Sequence, residues 1–435
     1  MASGYGVKQG MAVSAAYALS GNLIVLDRDE KGEAAALEKI AMWAGQFTPT
    51  VSIAHPSALL LEIQGSLKLF GGFENLSGKV AAGLGELGYT FNLALAPTPT
   101  GALLLARSGL ELHAADHETL KNYLLRLVLD VLDYDETAIE SLGRMGICTL
   151  GDCLRLPRDG LARRFGQGLL DEIDRALGRL PDPRESFAAP EEFSSTLELP
   201  YPVPDVEPLL FGIKRVICEL CGFLASRNAG VMKLVLQLKH EDHPVTKINL
   251  GLSVPSRNTQ HLLTLLRERF SSVSLPGRVE SLTLTAAETA QLAPRNFSLF
   301  GDKEGAKENR LALVERLRAR LGENAVSGLQ LYPDHRPELA WRESEPGTEA
   351  IAVETPVRPV WLLHKPRMLA ATGDSPVLDG PLILLSGPER IESGWWDGFD
   401  IARDYFIAAS SEGAKYWIFR ERKDNPSWYL HGIFA

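Results

Sequence analysis

Cysteine is scarce in this sequence, and its scarcity excludes a disulfide-stapled secreted scaffold. Only 4 of the 435 residues are cysteine, too few to hold a chain of this length together. Two of them form a single Cys218-x-x-Cys221 pair within a helical pattern, whereas a structural zinc site usually needs two such pairs. The pair is therefore predicted to lie in a core and to bind no metal.

Long apolar runs are missing as well. No stretch approaches the roughly 20 uninterrupted apolar residues of a membrane helix. Residues 1–8 lack the apolar segment of a signal peptide. We therefore expect a cytoplasmic protein without a membrane partner.

Basic residues are fewer than acidic residues in this sequence. The chain has 45 Lys and Arg against 55 Asp and Glu, a net charge of −10. This excludes a nucleic-acid-binding polycation, so any DNA contact is expected to be local and weak. The motifs GxSxG and HExxH and the phosphate-binding P-loop are also absent, so no hydrolase or nucleotide-cofactor chemistry is indicated.

The apolar content, at 45%, is sufficient for several cores, and the length predicts roughly three domains. The first part of the chain mixes strand and helix patterns. Thr98 before Pro99 has the residue types of a helix N-cap and first helical position. The predicted elements are strands at 23–26, 59–63 and 89–95 and helices at 33–47 and 76–87.

Residues 116–178 have an all-helical pattern that contains a hairpin. A glycine turn separates two short apolar helices, and Thr149 and Asp152 have the spacing of a capping box. In a helix-hairpin-helix the glycine leaves backbone N–H groups free for a DNA phosphate; the alternative is a plain helical hairpin. The candidate phosphate-binding residues are Gly146, Ile147, Cys148 and Thr149.

The second half of the chain contains two further patterns. After an irregular Pro-rich linker, residues 194–290 follow the order β-α-β-β-α-β, which predicts a sheet with two helices on one face. A helix is predicted at 310–321, a loop at 329–341 and a second linker at 347–357. Residues 358–435 are strand-like, and six of the seven tryptophans lie at or beyond Trp341. Exposed rings would indicate an interface; the alternative is that they fill a small core.

Several motifs, in this order, resemble the Y-family translesion DNA polymerases. Three of them lie in the first hundred residues: Gly6-Val7-Lys8-Gln9-Gly10-Met11, Gly65-Ser66-Leu67-Lys68-Leu69-Phe70-Gly71 and Ala94-Leu95-Ala96-Pro97-Thr98. The tail resembles the ImuB branch of that family more narrowly. Its motifs are Ser386-Gly387-Pro388-Glu389-Arg390-Ile391-Glu392-Ser393-Gly394-Trp395-Trp396-Asp397, Arg403-Asp404-Tyr405-Phe406 and Trp428-Tyr429-Leu430-His431-Gly432.

The resemblance implies an α+β multidomain fold. Its palm would be N-terminally incomplete, because the chain starts without the first palm strand. The implied parts are fingers and palm at 1–115, a helical thumb with the helix-hairpin-helix at 116–180, a linker at 181–193, a β-α-β-β-α-β little finger at 194–290, a tail at 291–357 and a small β-rich C-terminal module at 358–435.

The polymerase pattern is broken where its chemistry would be. Such polymerases use three carboxylates to hold two Mg²⁺ ions. The alignment of Gly65-Ser66 with the family places Ser57 and Ala58 at the adjacent acidic pair, and the nearest acid, Glu62, is predicted to be structural. The resemblance therefore implies a polymerase fold with no catalytic residues, metal or cofactor. The alternative is an active low-fidelity polymerase that uses displaced acids such as Glu62.

The resemblance also implies partners. Asn296-Phe297-Ser298-Leu299-Phe300 resembles the sliding-clamp pentapeptide, and the alternative is a tail that folds back on its own domain. Further implied partners are an ImuA-type RecA-like accessory protein, an error-prone replicative-type polymerase subunit and damaged DNA at the nucleoid. The implied role is an adaptor in inducible translesion synthesis, and a DNA-binding structural protein is a further alternative. The candidate partner-binding residues are Trp395, Trp396, Tyr405 and Trp428.

Overall fold

The structure is a computed structural model that describes residues 2–8, 10–292, 303–348, 357–423 and 426–434. The chain divides into two compact units, Met1–Leu299 and Phe300–Ala435. Its elements are mixed α and β, with a β-rich C-terminal part, which confirms the predicted fold class. None of the helices in the described ranges combines the length and the apolarity that crossing a bilayer requires.

The first unit begins with helices that flank a small β-hairpin. Thr98 Oγ1 accepts a hydrogen bond from the Gly101 amide at 3.2 Å, and Pro99 is the first helical residue, as predicted. The elements are α1 (Val13–Leu19), α2 (Glu30–Ala44), β1 (Val51–Ala54), β2 (Ala58–Leu61), α3 (Leu67–Phe70), α4 (Phe73–Glu86) and α5 (Pro99–Arg107).

Two of the three strands predicted in this region are wrong. Residues 23–29 have no regular secondary structure, and the side chains of Ile24 and Leu26 are 83% and 84% exposed. Of residues 89–95, only Leu95 makes an isolated bridge, to His113. A strand needs a neighbour to pair its N–H and C=O groups, and within the described residues only the predicted strand at 59–63 obtains one, since β2 pairs with β1.

The helical region predicted at 116–178 is confirmed. Its leucines form one apolar core together with Leu104 and Leu105 of α5. The helices are α6 (His117–Leu124), α7 (Glu136–Arg144), α8 (Leu150–Arg155), α9 (Arg158–Phe165) and α10 (Gln167–Ala176).

The β-α-β-β-α-β order is also confirmed. The four strands form one antiparallel sheet in the order β3-β6-β4-β5. Alternate apolar residues such as Leu236, which pairs with Ile248 and Leu284, face the two helices. The elements are β3 (Ser194–Val203), α11 (Val206–Ser226), β4 (Ala229–His240), β5 (Thr246–Ser256), α12 (Thr259–Phe270) and β6 (Val279–Gln291).

The sheet is joined to the N-terminal part through the buried side chain of Trp43. A Cβ atom added to Gly83 of α4, or to Gly222 of α11, would lie within 3.0 Å of the Trp43 ring. The ring therefore fills the space that two glycines leave open between α2, α4 and α11. Beside it, Arg215 of α11 donates to the Tyr89 hydroxyl at 2.7 Å.

The linker predicted at 181–193 is not a free tether. Residues 181–190 contain no helix or strand, as expected. However, Asp182 accepts hydrogen bonds from the Thr100 amide and hydroxyl, both at 2.8 Å. The Phe187 amide donates to the Val51 carbonyl at 2.6 Å. These contacts fix the segment to the N-terminal part of the unit.

The second unit consists of a helix and antiparallel strands. Five of the strands form a sheet in the order β12-β13-β14-β15-β9. The elements are α13 (Lys303–Leu321), β7 (Gly328–Leu331), β8 (Trp341–Ser344), β9 (Trp361–Met368), β10 (Ala370–Thr372), β11 (Ser375–Val377), β12 (Ile383–Ser393), β13 (Ile401–Ala409), β14 (Lys415–Glu421) and β15 (Trp428–Ile433).

The loop predicted at 329–341 is a β-hairpin instead. Strand β7 pairs with β8 in antiparallel register, with Leu331 opposite Trp341. Pro333 and Pro337 favoured the prediction of a loop, but both lie in the connection. A proline there removes no donor from the strand ladder.

We predict opposite effects for two substitutions in α4. Gly83→Ala should destabilise the first unit by about 1–3 kcal/mol, because the added methyl group overpacks the Trp43 site. Gly78→Ala has open space around it and should stabilise the unit by up to about 1 kcal/mol through helix propensity. Urea denaturation of both variants measures this, and a response of the same sign at both sites would contradict the proposed packing.

Candidate nucleic-acid and partner interfaces

The residues that the family resemblance aligns with the acidic pair lie at a tight turn. Ser57 lies in the turn between β1 and β2, and Ala58 is the first residue of β2, opposite Ala54. Glu62 follows β2, is exposed, and accepts a hydrogen bond from the Gln64 amide at 2.9 Å. A hydroxyl and a methyl group supply none of the anionic oxygens that Mg²⁺ prefers.

Charged groups beside this turn belong to a separate cluster. Arg28, Glu30 and Glu33 line a cavity of about 230 Å³ together with His55. The Arg28 guanidinium lies 2.7 Å from a Glu33 oxygen, and this hydrogen bond lowers the pKa of the Glu33 carboxyl. In the described ranges, no three His, Cys, Asp or Glu side chains are grouped so as to hold a metal ion.

The capping box predicted in the hairpin at Gly146 forms. Thr149 Oγ1 accepts from the Asp152 amide at 3.1 Å, and Asp152 Oδ2 accepts from the Thr149 amide at 3.1 Å. Gly146 has a φ of 79°, which permits the turn between α7 and α8. The Thr149 hydroxyl also donates to Asp152 Oδ2 at 2.8 Å, and this bond, together with that from the Thr149 amide, lowers the pKa of Asp152, so the carboxylate is ionised.

The free amides expected at this hairpin are not free. The Asp152 carboxylate lies where a phosphate was predicted, because a carboxylate near a helix N-terminus satisfies the same donors. The four amides donate as follows: Gly146 to the Gly143 carbonyl at 3.0 Å, Ile147 to the Leu142 carbonyl at 3.1 Å, and Cys148 and Thr149 to Asp152 Oδ2 at 3.4 and 3.1 Å. Phosphate binding here stays a prediction, and it requires displacement of that carboxylate.

Arginine side chains surround the hairpin. Arg144 is bonded to Glu140 at 3.0 Å and Arg155 to Asp152 at 3.4 Å. Arg163 and Arg164 at the end of α9 are exposed. Long arginine side chains and backbone N–H groups are both common contacts to DNA phosphates; with the turn's amides engaged, the exposed Arg163 and Arg164 are the remaining candidates.

One polar surface was not predicted from the sequence: the face of the four-stranded sheet opposite α11 and α12. It is formed by the residues that alternate with the buried ones, and a period-two pattern in β4 and β5 was the available signal. Gln237, for example, is flanked by Lys247 and Thr283. The residues on this face include Thr196, Lys233, Gln237, Lys239, Lys247, Asn249, Thr283 and Thr285.

The candidate partner-binding residues do not share a surface. Trp395 and Trp396 are 78% and 59% exposed, whereas Tyr405 and Trp428 are 1% and 5% exposed. Tyr405 stacks on Trp417 at 4.1 Å between ring centroids. The prediction that Tyr405 and Trp428 contact a partner is therefore wrong, because strands β13 and β15 turn both rings into the core.

The cysteine prediction concerns α11. Cys218 is buried and Cys221 is half-buried, and both are free thiols. Burial raises the pKa of Cys218 to about 12 and that of Cys221 to about 11, so both remain protonated.

The clamp-like segment, residues 296–300, lies outside the described residues.

Comparison with known proteins relates the chain to one family. The sequence model of the impB/mucB/samB family matches residues 1–107. The chain is 27% identical over 458 aligned residues to Protein ImuB from two strains of Caulobacter vibrioides, NA1000 / CB15N and ATCC 19089 / CB 15, covering 99% of this chain and 100% of that protein. The resemblance to ImuB is thereby confirmed.

Two solved polymerase structures are more distantly similar. A Dbh ternary complex is 20% identical and covers 67% of this chain and 88% of its own, with a TM-score of 0.35. A DinB family error-prone DNA polymerase from Sulfolobus solfataricus is 20% identical and covers 66% of this chain and 87% of its own, with a TM-score of 0.37.

We predict that Asp152→Ala tightens DNA binding about tenfold at low salt, because it uncovers two amides and charge-assisted bonds contribute about 1.5–3 kcal/mol each. Asp135→Ala is the matched control: Asp135 also caps a helix, α7, but its loss uncovers no amide of the 146–149 turn. Fluorescence anisotropy with a labelled duplex measures both affinities. Equal responses of the two variants would exclude the turn as a phosphate site.

Proposed function

We propose that this ImuB-like chain is a non-catalytic Y-family polymerase homologue that acts as an adaptor in error-prone translesion synthesis at damaged DNA. The observation that carries the proposal is the extent of the match to ImuB. It spans 99% of the chain and so includes the β-rich C-terminal part as well as the family match in residues 1–107.

The residues in the turn between β1 and β2 support the proposal that the chain has no polymerase activity. Two-metal phosphoryl transfer needs carboxylates that bridge both ions. Neither Ser57 nor Ala58, the two residues at the aligned position, has a carboxylate. The rival proposal, an active low-fidelity polymerase, would have to recruit Glu62, whose carboxylate already accepts the Gln64 amide.

The exposed groups suggest how an adaptor divides its contacts. In the first unit, the polar face of the four-stranded sheet and the arginines around the hairpin suit weak contacts to DNA backbone. In the second unit, Trp395 and Trp396 suit a protein partner. The proposed partners are the sliding clamp at residues 296–300, the ImuA-type accessory protein and an error-prone replicative-type polymerase subunit.

We expect no template-directed nucleotide incorporation by the purified protein with Mg²⁺ and a primed template. Denaturing gel electrophoresis of a labelled primer tests this at protein concentrations well above that of DNA. Extension that co-purifies with the chain and disappears in Glu62→Ala would establish the rival polymerase.

Replacement of both Leu299 and Phe300 by Ala should weaken clamp binding by roughly two to four decades. Each apolar anchor is worth about 1.5–3 kcal/mol when fully buried, and about 1.4 kcal/mol is tenfold in affinity. Leu317→Ala with Leu321→Ala removes two exposed leucines from the following helix and serves as the matched control.

Surface plasmon resonance on immobilised clamp provides the measurement. Deletion of residues 358–435 should spare clamp binding and abolish contacts with the other two partners. Wild-type clamp affinity in the double variant would refute the motif assignment.

A further inference from the structure

A buried arginine in the second unit holds together two segments that are far apart in sequence. Arg336 lies in the connection between β7 and β8 and is 4% exposed. Its Nη2 lies 2.8 Å from Asp334 Oδ2 and 2.7 Å from Asp397 Oδ2, and its Nη1 donates to the Phe399 carbonyl at 3.3 Å. One guanidinium therefore ties the β7–β8 connection to residues 394–400, named here the tryptophan loop.

The tryptophan loop is built around this guanidinium. Gly394 has a φ of 88°, and a Cβ atom there would lie 2.7 Å from Arg336 Nη1 and closer still to the Phe399 carbonyl. Asp397 Oδ1 also accepts the Phe399 amide at 3.0 Å. The loop backbone thus closes on Arg336 with no room for a side chain at residue 394.

This fixed backbone presents aromatic rings to solvent. Trp395, Trp396 and Phe399 are 78%, 59% and 75% exposed, and the two indoles contact each other edge to face with centroids 5.5 Å apart. Aromatic rings on a rigid backbone lose little conformational entropy on binding and are typical anchors of protein interfaces.

We propose that Arg336 is a positioning residue that fixes the tryptophan loop as the docking site for a protein partner with an apolar cleft and a basic rim. The proposal rests on the adaptor function above and names the residues through which the second unit would meet that partner.

The charges around the loop favour a protein over single-stranded nucleic acid. The loop's own ionisable residues are two acids, Asp397 and Asp400. The cations beside it are held by carboxylates: Arg336 by Asp397, and Lys423 by Asp400. Stacking of bases on aromatic rings normally accompanies a basic groove that follows the phosphates. Here Asp334, Asp397 and Asp400 outnumber Arg336 and Lys423 by one negative charge, which complements a basic rim.

The test uses the full-length protein, with the purified accessory protein, the purified polymerase subunit, the clamp and a labelled oligo-dT as separate probes. The variants are Trp395→Ala with Trp396→Ala, Arg336→Lys and Asp397→Asn. Lysine keeps the charge, but its single ammonium cannot reproduce the planar bidentate geometry. Trp361→Ala, which removes another indole of the same unit with 67% exposure, is the matched control.

We expect the double tryptophan variant and Arg336→Lys each to lose at least tenfold in affinity for the accessory protein or the polymerase subunit. Trp361→Ala and clamp binding should be unchanged. Circular dichroism and acrylamide quenching of tryptophan report on folding, and if Arg336→Lys does not fold, Asp397→Asn decides, with an expected loss of about threefold to tenfold.

Three results would overturn the proposal. Loss of oligo-dT binding alone would make the loop a nucleic-acid site, and a change confined to self-association in sedimentation would make it a contact between copies. Wild-type partner affinity in both Arg336→Lys and Asp397→Asn would remove the positioning role. A wild-type protein that binds the clamp but neither protein partner would refute the adaptor function itself, whatever the loop variants do.

Discussion

The packing of Trp43 between two glycines is the constraint on which the first unit depends. Without side chains at Gly83 and Gly222, helices α4 and α11 approach the indole closely enough to bury it. Helix α11 also packs against one face of the four-stranded sheet. The position of the sheet's polar face is therefore set by an apolar contact on the opposite side of the sheet. The hydrogen bond between Arg215 and Tyr89 has a defined geometry and also constrains the orientation of α11.

In the second unit, hydrogen bonds among half-buried charged groups and buried rings have the corresponding role. Arg403 donates to Glu338 at 2.6 Å and to the Tyr405 hydroxyl at 3.1 Å, and Tyr405 in turn contacts His431 Nδ1 at 2.8 Å. Burial lowers the pKa of His431 to about 4, so the ring is neutral near pH 7. These contacts bind Glu338 of the β7–β8 connection to strand β13 and therefore help to fix the connection on the sheet.

The hairpin at Gly146 illustrates competition between two anions for one set of donors. A capping carboxylate and a phosphate both suit a helix N-terminus, and an intramolecular carboxylate is always present at high effective concentration. Asp152 satisfies the box that the sequence predicts and, for the same reason, occupies the proposed phosphate site. In the sequence motif, the residue that distinguishes a capped turn from an anion site is the third residue of the helix, here Asp152.

Local patterns in the sequence were enough to determine the helices from 116 to 178, the N-cap at Thr98 and the β-α-β-β-α-β order, because capping and hydrophobic periodicity act over a few residues. They also indicated an aromatic C-terminal part, whereas the prediction that Ser57 and Ala58 replace an acidic pair rests on the family resemblance and not on local patterns. Tertiary structure alone decided which apolar segments become strands. Residues 58–61 pair with β1 along their whole length, whereas in the part of the chain that the structure describes residues 89–95 make only the bridge from Leu95 to His113 and residues 23–26 make none. It also separated exposed Trp395 and Trp396 from buried Tyr405 and Trp428. That separation depends on long-range contacts, such as the one between Arg336 and Asp397, which no local spacing encodes.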